Sequence, residues 1–317
     1  MISGARGNTE RLDDLELDST YLIAFDMAHS ALKNGLTSVS SLNITQYHAL
    51  IKTFAAGEKG LSQTDIGLKL DVKPNVVSHI ISLLEGLGFV QRTKSDEGDG
   101  RVRLVRITEA GTEHADGVNK SIIEQLYATF PTQNDVFRSI LEASIIAGAH
   151  IDPPISEETV SRFPASRALV SLELIRRTFE ATLRRLAGVS FNEYRVLQRM
   201  CELDMPLRSV DLANQLRMTP PTIARAADQL VSRAFATRLG SPTDKKAVFL
   251  AATETGKHKQ KAISDTIDSL ARNYLWKNLN REQRHAIAQV GHVVIAQLRE
   301  KEEAERKAAL SLLKPIG

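Results

Sequence analysis

The run Asp65-Ile66-Gly67-Leu68-Lys69-Leu70-Asp71-Val72-Lys73-Pro74-Asn75-Val76-Val77-Ser78-His79 decides the fold. Ser62 opens a short helix with Asp65 three residues on as its capping-box partner. Asp71-Val72-Lys73 is a turn, and Pro74 begins a second helix at a first-turn position, where its missing N–H costs nothing. That helix is expected to run to Glu85, with Gly86 or Gly88 as its stop. Two strand-like segments follow, Phe89–Thr93 and Val102–Ile107, around the polar loop Ser95-Asp96-Glu97-Gly98-Asp99-Gly100. This reads as a hairpin with a long tip. Helix, turn, helix and hairpin in that order spell a winged helix-turn-helix. Its second helix suits the major groove, and its hairpin lies along the backbone or minor groove.

The pattern occurs twice. Ile44-Thr45-Gln46-Tyr47-His48-Ala49-Leu50 recurs about 147 positions later as Phe191-Asn192-Glu193-Tyr194-Arg195-Val196-Leu197. Asp65–Leu70 answers to Asp211–Leu216, Pro74–His79 to Pro220–Arg225, and Thr108-Glu109-Ala110-Gly111 to Thr253-Glu254-Thr255-Gly256. Solenoid repeats run to roughly 20–50 residues, so a period this long indicates domain duplication. The expected organisation is a disordered N-terminal tail over 1–14, a first winged-helix domain over 15–150, a linker over 151–164 and a second domain over 165–317. The linker holds Pro153, Pro154 and Pro164 and reads as a semi-rigid connection. The second copy should place its helical pair at Ser209–Gln215 and Pro220–Ser232, and its hairpin at Phe235–Leu239 and Ala247–Ala251. Amphipathic helices flank each head, at about Leu15–Leu36, Thr45–Ala55, Glu109–Tyr127 and Gln133–His150, then Ser166–Leu186, Asn192–Leu203, Glu254–Trp276 and Arg281–Leu312. The fold class is therefore mainly α with small β wings.

Composition narrows the functional classes. A length of 317 residues suits two domains, and 42% hydrophobic residues let each bury a core. No apolar run approaches the ~18–20 residues that span a bilayer. The start Met1-Ile2-Ser3-Gly4-Ala5-Arg6-Gly7 lacks the apolar segment of a secretory signal. One cysteine leaves no intrachain disulfide and fits a reducing, cytoplasmic setting. The net charge of +3 is too mild to argue for nucleic acid by itself, so the placement of charge must decide. No Ser-His-Asp order, glycine-rich phosphate loop or zinc pattern stands out. The expectation is a non-enzyme with no cofactor and no metal. His285 and His292 lie seven apart on one helix and suit a surface or pairing face. Cys201, beside Met200 and Leu203, reads as inert rather than as a redox sensor.

Residues early in each second helix should face DNA: Asn75, Ser78, His79 and Ser82 in the first copy, Thr222, Arg225 and Asp228 in the second. Thr219 is placed to cap its helix and donate to a phosphate. Asn and Arg suit bidentate contacts with adenine and guanine. Arg101, Arg103, Lys245 and Lys246 supply cations at the wings. Read plainly, each of these is an exposed helix or loop residue; the order of the motifs favours the DNA reading.

Each half resembles the MarR family of bacterial transcriptional regulators over almost its whole length, linker aside. The closest likeness is in the wing, with Asp99-Gly100-Arg101, then Ile107-Thr108 and Gly111. The second copy has Asp244-Lys245-Lys246, then Ala252-Thr253 and Gly256. Leu84-Glu85-Gly86-Leu87-Gly88-Phe89-Val90 also matches the family's passage from recognition helix to wing, whereas Leu230–Ala236 has no glycine there. The resemblance implies that first and last helices pair two lobes into a triangular dimer on a pseudo-palindromic operator. It also implies that small aromatic or phenolic acids bind between the pairing helices and the lobe. A duplicated chain can build an intrachain pseudo-dimer, as a monomer, because its lobes stay at high effective concentration. Since Asn75 and His79 differ from Thr222 and Arg225, the operator halves should be unequal and about one helical turn or slightly more apart. Lys73 is a poor N-cap, and Lys246 cannot make the paired bonds of Arg101.

One position on helix 1 stands out. Leu22, Phe25, His29, Leu32 and Leu36 form a stripe, as do Leu169, Leu172, Arg176, Phe179 and Leu183, with His29 and Arg176 equivalent. A cation in an apolar stripe is expensive without a partner. One reading is a structural ion pair, or an arginine snorkelling from the stripe's edge. The other makes His29 and Arg176, with Tyr47 and Tyr194 on helix 2, the polar anchors of an effector pocket. The functional expectation is a repressor that binds double-stranded operator DNA and is released by a small-molecule effector. A winged-helix protein-interaction scaffold and an effector-independent architectural DNA-binding protein are the alternatives.

Overall fold

The computed structural model describes residues 17–94, 103–130, 132–152, 156–240 and 248–311. The expected tail over 1–14 and the wing cations Arg101, Lys245 and Lys246 lie outside these residues. The chain is mainly helical with two small antiparallel sheets.

Helix α1 (Ser19–Val39) buries the whole expected stripe, Leu22, Phe25, His29, Leu32 and Leu36. Helix α2 (Ile44–Ala55) starts at a full capping box between Asn43 and Gln46. Strand β1 (Leu61–Ser62) leads into α3 (Gln63–Leu70), where the Ser62 hydroxyl accepts the Asp65 N–H at 3.1 Å. Asp71 then takes the left-handed conformation, φ +51, that ends α3 and starts the turn. Helix α4 (Pro74–Gly86) follows, then β2 (Val90–Lys94) and β3 (Arg103–Ile107). Helices α5 (Glu109–Thr129), α6 (Asp135–Ala149) and α7 (Glu157–Arg162) come next.

The same order recurs. Helix α8 (Pro164–Ala187), α9 (Phe191–Leu203), β4 (Leu207–Arg208), α10 (Ser209–Leu216) and α11 (Pro220–Ser232) precede β5 (Ala236–Gly240) and β6 (Val248–Ala252). Helix α12 (Glu254–Leu270) passes into a π-helical stretch, Ala271–Leu275, and α13 (Arg281–Ser311) is last among the described residues. The sheets are ordered β1-β3-β2 and β4-β6-β5, all antiparallel.

Three features depart from the sequence reading. Strands β1 and β4 are two residues each, too short to show any alternation. The linker contains α7, whose first turn is capped by Ser156 accepting the Thr159 N–H at 3.3 Å. The helix expected over Glu254–Trp276 changes its hydrogen bonding at Ala271.

Two compact units emerge. One comprises Met27–Leu174, Asn278–Ile287 and Gln297–Gly317, and it contains the first sheet. The other comprises Met1–Asp26, Ile175–Lys277 and Ala288–Ala296, and it contains the second. Helices α1 and α8 each contribute to both. In the first-sheet unit Tyr47, Leu50, Ile51, Ile66, Ile81, Leu84, Val105 and Ile122 are fully buried. Each apolar side chain so buried is worth roughly 1.5–3 kcal/mol. The second-sheet unit buries Val196, Leu197, Leu212, Leu216, Ile223, Leu230 and Ile263. There the Phe25 ring lies 6.1 Å from Phe179 and 5.9 Å from Phe191.

The Thr-x-x-Gly motif after each hairpin joins the wing to the next helix. Thr108 caps α5 by accepting the Gly111 N–H at 3.0 Å, and its hydroxyl donates to the Gly88 carbonyl at 2.6 Å. Thr253 does the same with Gly256 (3.0 Å) and Ala234 (2.6 Å). A Cβ at Gly111 would lie 2.1 Å from the Phe89 carbonyl oxygen, and at Gly256 2.0 Å from that of Phe235. Only glycine fits.

Candidate nucleic-acid interface

Helices α4 and α11 each have one packed face and one open face. Helix α4 buries Val77, Ile80, Ile81 and Leu84, and leaves Asn75, Ser78, His79 and Ser82 exposed. Helix α11 buries Ile223, Ala226, Ala227 and Leu230, exposes Arg225 and Asp228, and half-buries Thr222. The period of 3.6 residues makes this division inevitable once the apolar positions seat the helix. Thr222, Arg225 and Asp228 share a cavity of about 480 Å3 with Ser190, Asn192, Glu193, Ala226 and Gln229.

The wing strands differ in charge. Strands β2 and β3 carry Arg92, Lys94, Arg103 and Arg106, while β5 and β6 carry Arg238 alone. Lys94 and Arg103 stand directly opposite each other in the ladder, both exposed. Like charges so paired are unfavourable unless an anion lies against them. At the matching end of the second hairpin Gly240 faces Val248.

Some expected contacts are already engaged within the chain. Ser82 accepts a hydrogen bond from Arg92 at 3.1 Å, and Arg92 also pairs with Glu85. Asp228 is ion-paired with Arg238, so its charge is offset by the adjoining wing strand. In both lobes, then, an arginine of the first wing strand ties the hairpin to the helix before it, α4 or α11. The expectation that Thr219 caps α11 is corrected. Its side chain makes no capping bond, and its hydroxyl lies 2.8 Å from that of Thr222. Lys73 likewise makes no side-chain cap.

The helix-1 positions are paired. His29 Nε2 lies 2.8 Å from Glu173 Oε2, in the first-sheet unit. Arg176 reaches Asp26 Oδ1 at 2.8 Å and Glu180 at 3.3 Å, in the second-sheet unit. Tyr47 is fully buried, with its hydroxyl 2.8 Å from Ser166 Oγ and 3.3 Å from the Ala115 carbonyl. Tyr194 bonds Ser264 Oγ at 2.8 Å. Burial pushes both phenols well above their ordinary value, so they stay neutral. A second cavity, about 660 Å3 and lined by Phe54, Glu58, Gln91, Arg106, Ser156 and Glu158 among others, is bordered by none of these four residues.

Two buried charge centres escaped the sequence reading. In the first-sheet unit the Asp152 carboxylate meets Lys52 Nζ at 2.7 Å, Arg167 at 2.8 Å and His48 Nε2 at 3.2 Å. Burial alone would raise the Asp152 carboxyl, but His48, Lys52 and Arg167 together hold it well below the carboxylate range. Burial lowers His48 and Lys52. In the second-sheet unit Arg195, the position equivalent to His48, donates to Asp26 Oδ2 and to the Leu216 carbonyl, both at 2.7 Å. A usable signal existed. Asp26 and Glu173 sit 147 apart, each three residues before His29 or Arg176.

Burial pushes the Cys201 thiol up to about 11, which keeps it protonated and unreactive. Among the described residues no group of three or more His, Cys, Asp or Glu could hold a metal ion, and no helix is long and apolar enough to cross a membrane.

Geometry therefore defines a winged helix-turn-helix chain. No protein-family model and no curated protein matches it. Among solved structures it is similar to a MarR family transcriptional regulator from Streptomyces coelicolor in complex with DNA, at 22% identity, covering 40% of this chain and 81% of that one, with a TM-score of 0.37. Wild-type MarR from E. coli is similar at 20% identity over 40% and 91% of the two chains, TM-score 0.34. CouR from Rhodococcus jostii RHA1, bound to p-coumaroyl-CoA, is similar at 18% identity over 46% and 89%, TM-score 0.31. At scores this low the likenesses carry no residue role and no ligand over to this chain.

Proposed function

We propose that the chain is a sequence-specific DNA-binding transcriptional regulator, built from two tandem MarR-like winged-helix domains that pair within one molecule. The observation that carries this reading is the pair of recognition helices, each offering a polar face beside a hairpin. Asn75, Ser78, His79 and Ser82 form one reading head; Thr219, Thr222, Arg225 and Asp228 form the other. Arg101, Arg103, Lys245 and Lys246 grip the backbone. The Lys94–Arg103 cross-strand pair supports a polyanionic partner.

Reciprocal ion pairs support the intrachain pseudo-dimer. His29 on the first copy's helix pairs with Glu173 on the second's, and Arg176 on the second's with Asp26 on the first's. Each contact is the other with the copies exchanged, as pairing about a two-fold axis would require. The domain boundaries of the repeat, 15–150 and 165–317, follow from the same reading.

Repression comes from occupying an operator with unequal halves, and an aromatic or phenolic acid releases it. His29, Tyr47, Arg176 and Tyr194 are the effector contacts in this reading. A ligand carboxylate there competes with Glu173 and Asp26, so binding and rearrangement of the pairing helices are linked. The ligand must favour one arrangement over the other, or it shifts nothing. Duplexes selected from a random pool test the reading by mobility shift at several salt concentrations. A regulator gives a sequence-dependent complex whose affinity falls linearly in log–log form with salt. Binding indifferent to both sequence and salt would remove it.

A further inference from the structure

We infer that Asp26, Arg195 and the Leu216 carbonyl form a relay that sets the second recognition helix from helix α1 and has a different counterpart in the first lobe. The inference rests on the DNA-binding reading above and adds a regulatory route to it. Arg195 is almost fully buried, and its two terminal nitrogens take different partners along the route. One donates to Asp26 on α1, the other to Leu216, the last residue of α10. The Leu216 carbonyl is one of the groups that a helix end leaves without an intrahelical partner. Arg217 next to it takes φ +52, and the chain enters α11 at Pro220. Arg195 thus holds the pivot of the helix-turn-helix. Arg199, one turn on, holds the same helix through Gln215 at 2.9 Å.

Asp26 is shared. Arg176 takes its other oxygen at 2.8 Å, and both guanidinium groups lie over the Phe191 ring, at 5.1 and 5.8 Å. Any event that draws Asp26 away leaves Arg195 a buried cation short of its carboxylate, a costly state that relaxes only if Arg195 moves. Movement of Arg195 releases the turn before α11. In the first lobe the equivalent residues, His48 and Lys52, are committed to Asp152 instead. Withdrawal of Asp26 therefore loosens one reading head and spares the other.

Hydrogen exchange on the full chain without DNA reads the relay directly. Arg195→Gln should speed exchange of the amides from Ala213 to Ile223 about tenfold or more, because a charge-assisted bond at a helix end is lost. Arg195→Lys should not rescue it, since one ammonium cannot reproduce the two-ended fork. Asp26→Asn keeps the Arg195–Leu216 bond available and should produce the same regional change, smaller. It decides the matter if Arg195→Gln fails to fold. The turn before α4, Leu70 to Val77, should keep its wild-type rate in every variant. Wild-type exchange at Ala213–Ile223 in Asp26→Asn, or equal acceleration at Leu70–Val77, overturns the relay. On a selected duplex the variants should lose the footprint over one half-site and retain the other. Absence of any footprint with the wild-type chain would count against the DNA reading, while the exchange data would still judge the relay.

Discussion

The two winged-helix lobes repeat one order of elements and differ in where their charges go. In the first, α2 sends His48 and Lys52 to Asp152, and the wing strands carry Lys94, Arg103 and Arg106. In the second, α9 sends Arg195 and Arg199 to the end of α10, and Gly240, Val248 and Ala251 hold the matching wing positions. The local devices are conserved between them. A left-handed residue ends the first helix of each pair, Asp71 or Arg217, and a threonine-glycine cap follows each hairpin. Backbone geometry is thus held by short-range rules, while the buried charges and the open faces of α4 and α11 differ between the copies. One lobe is fixed to the connecting segment and the other to α1.

The largest effect that could break this contrast concerns Asp152. Asp152→Ala strands Lys52 and Arg167 as buried cations, and removing one partner of such a group typically costs about 3–5 kcal/mol. Urea unfolding followed by a probe in each unit should show the first-sheet unit lose stability while the second changes little. Acid should expose the same difference. The Asp152 carboxyl is held low in the folded chain, so its contribution is complete above the ordinary carboxylate value and is lost as pH falls through the folded one. His48, lowered by burial, adds a loss that begins as pH drops below its ordinary value. Equal acid sensitivity in the two units would contradict the contrast.

Next in size are the close approaches the lobes have in common. Gly111→Ala and Gly256→Ala each drive a Cβ into a backbone carbonyl that cannot swing away. Each should cost on the order of 3 kcal/mol, with matched losses in the two units. A tolerated substitution in one lobe alone would show that its wing–helix junction is not the equivalent it resembles.

DNA binding sharpens the comparison further. Lys94→Gln and Arg103→Gln should each lower the log–log salt slope by about 1, if each meets a phosphate. Val248→Gln in the second wing should leave the slope unchanged. Arg225→Ala should cost about 1–3 kcal/mol against the preferred base and relax specificity in one half-site only. The footprint and the salt titration read these effects separately.

How much of this was legible in the sequence depends on range. The helix start at Ser62 was read from a side chain that reaches its own backbone, while Asn43, Thr108 and Ser190, caps of the same kind, were not singled out although their helices were placed within about a residue. Strands β1 and β4 were not legible, because two residues have no period and owe their pairing to β3 and β6. Helix α7 was hidden by the prolines around it. At the site, the open faces of α4 and α11 followed from periodicity. The partners of Ser82, Asp228, His29 and Arg176 did not, since each depends on a residue brought close by folding. Asp152 lay in a segment read as a connection, where a buried carboxylate is least expected.

The smallest prediction concerns one residue after α4 and α11. Gly88 has φ +75, which glycine adopts without cost, while its equivalent Ala234 is held at φ +56. A left-handed alanine pays roughly 1–2 kcal/mol for the clash of Cβ with the following carbonyl. Ala234→Gly relieves that strain but also loosens the unfolded chain, which takes back part of the gain. The net should be a stabilisation of about 0.5–1 kcal/mol in the second-sheet unit. Gly88→Ala should cost a similar amount in the first, because nothing within 4 Å crowds the added methyl and strain alone is measured. Thermal unfolding of the two variants checks the pair of opposite signs. Should Ala234→Gly destabilise instead, the left-handed turn is held by something other than local strain, and the two junctions differ by more than a missing side chain.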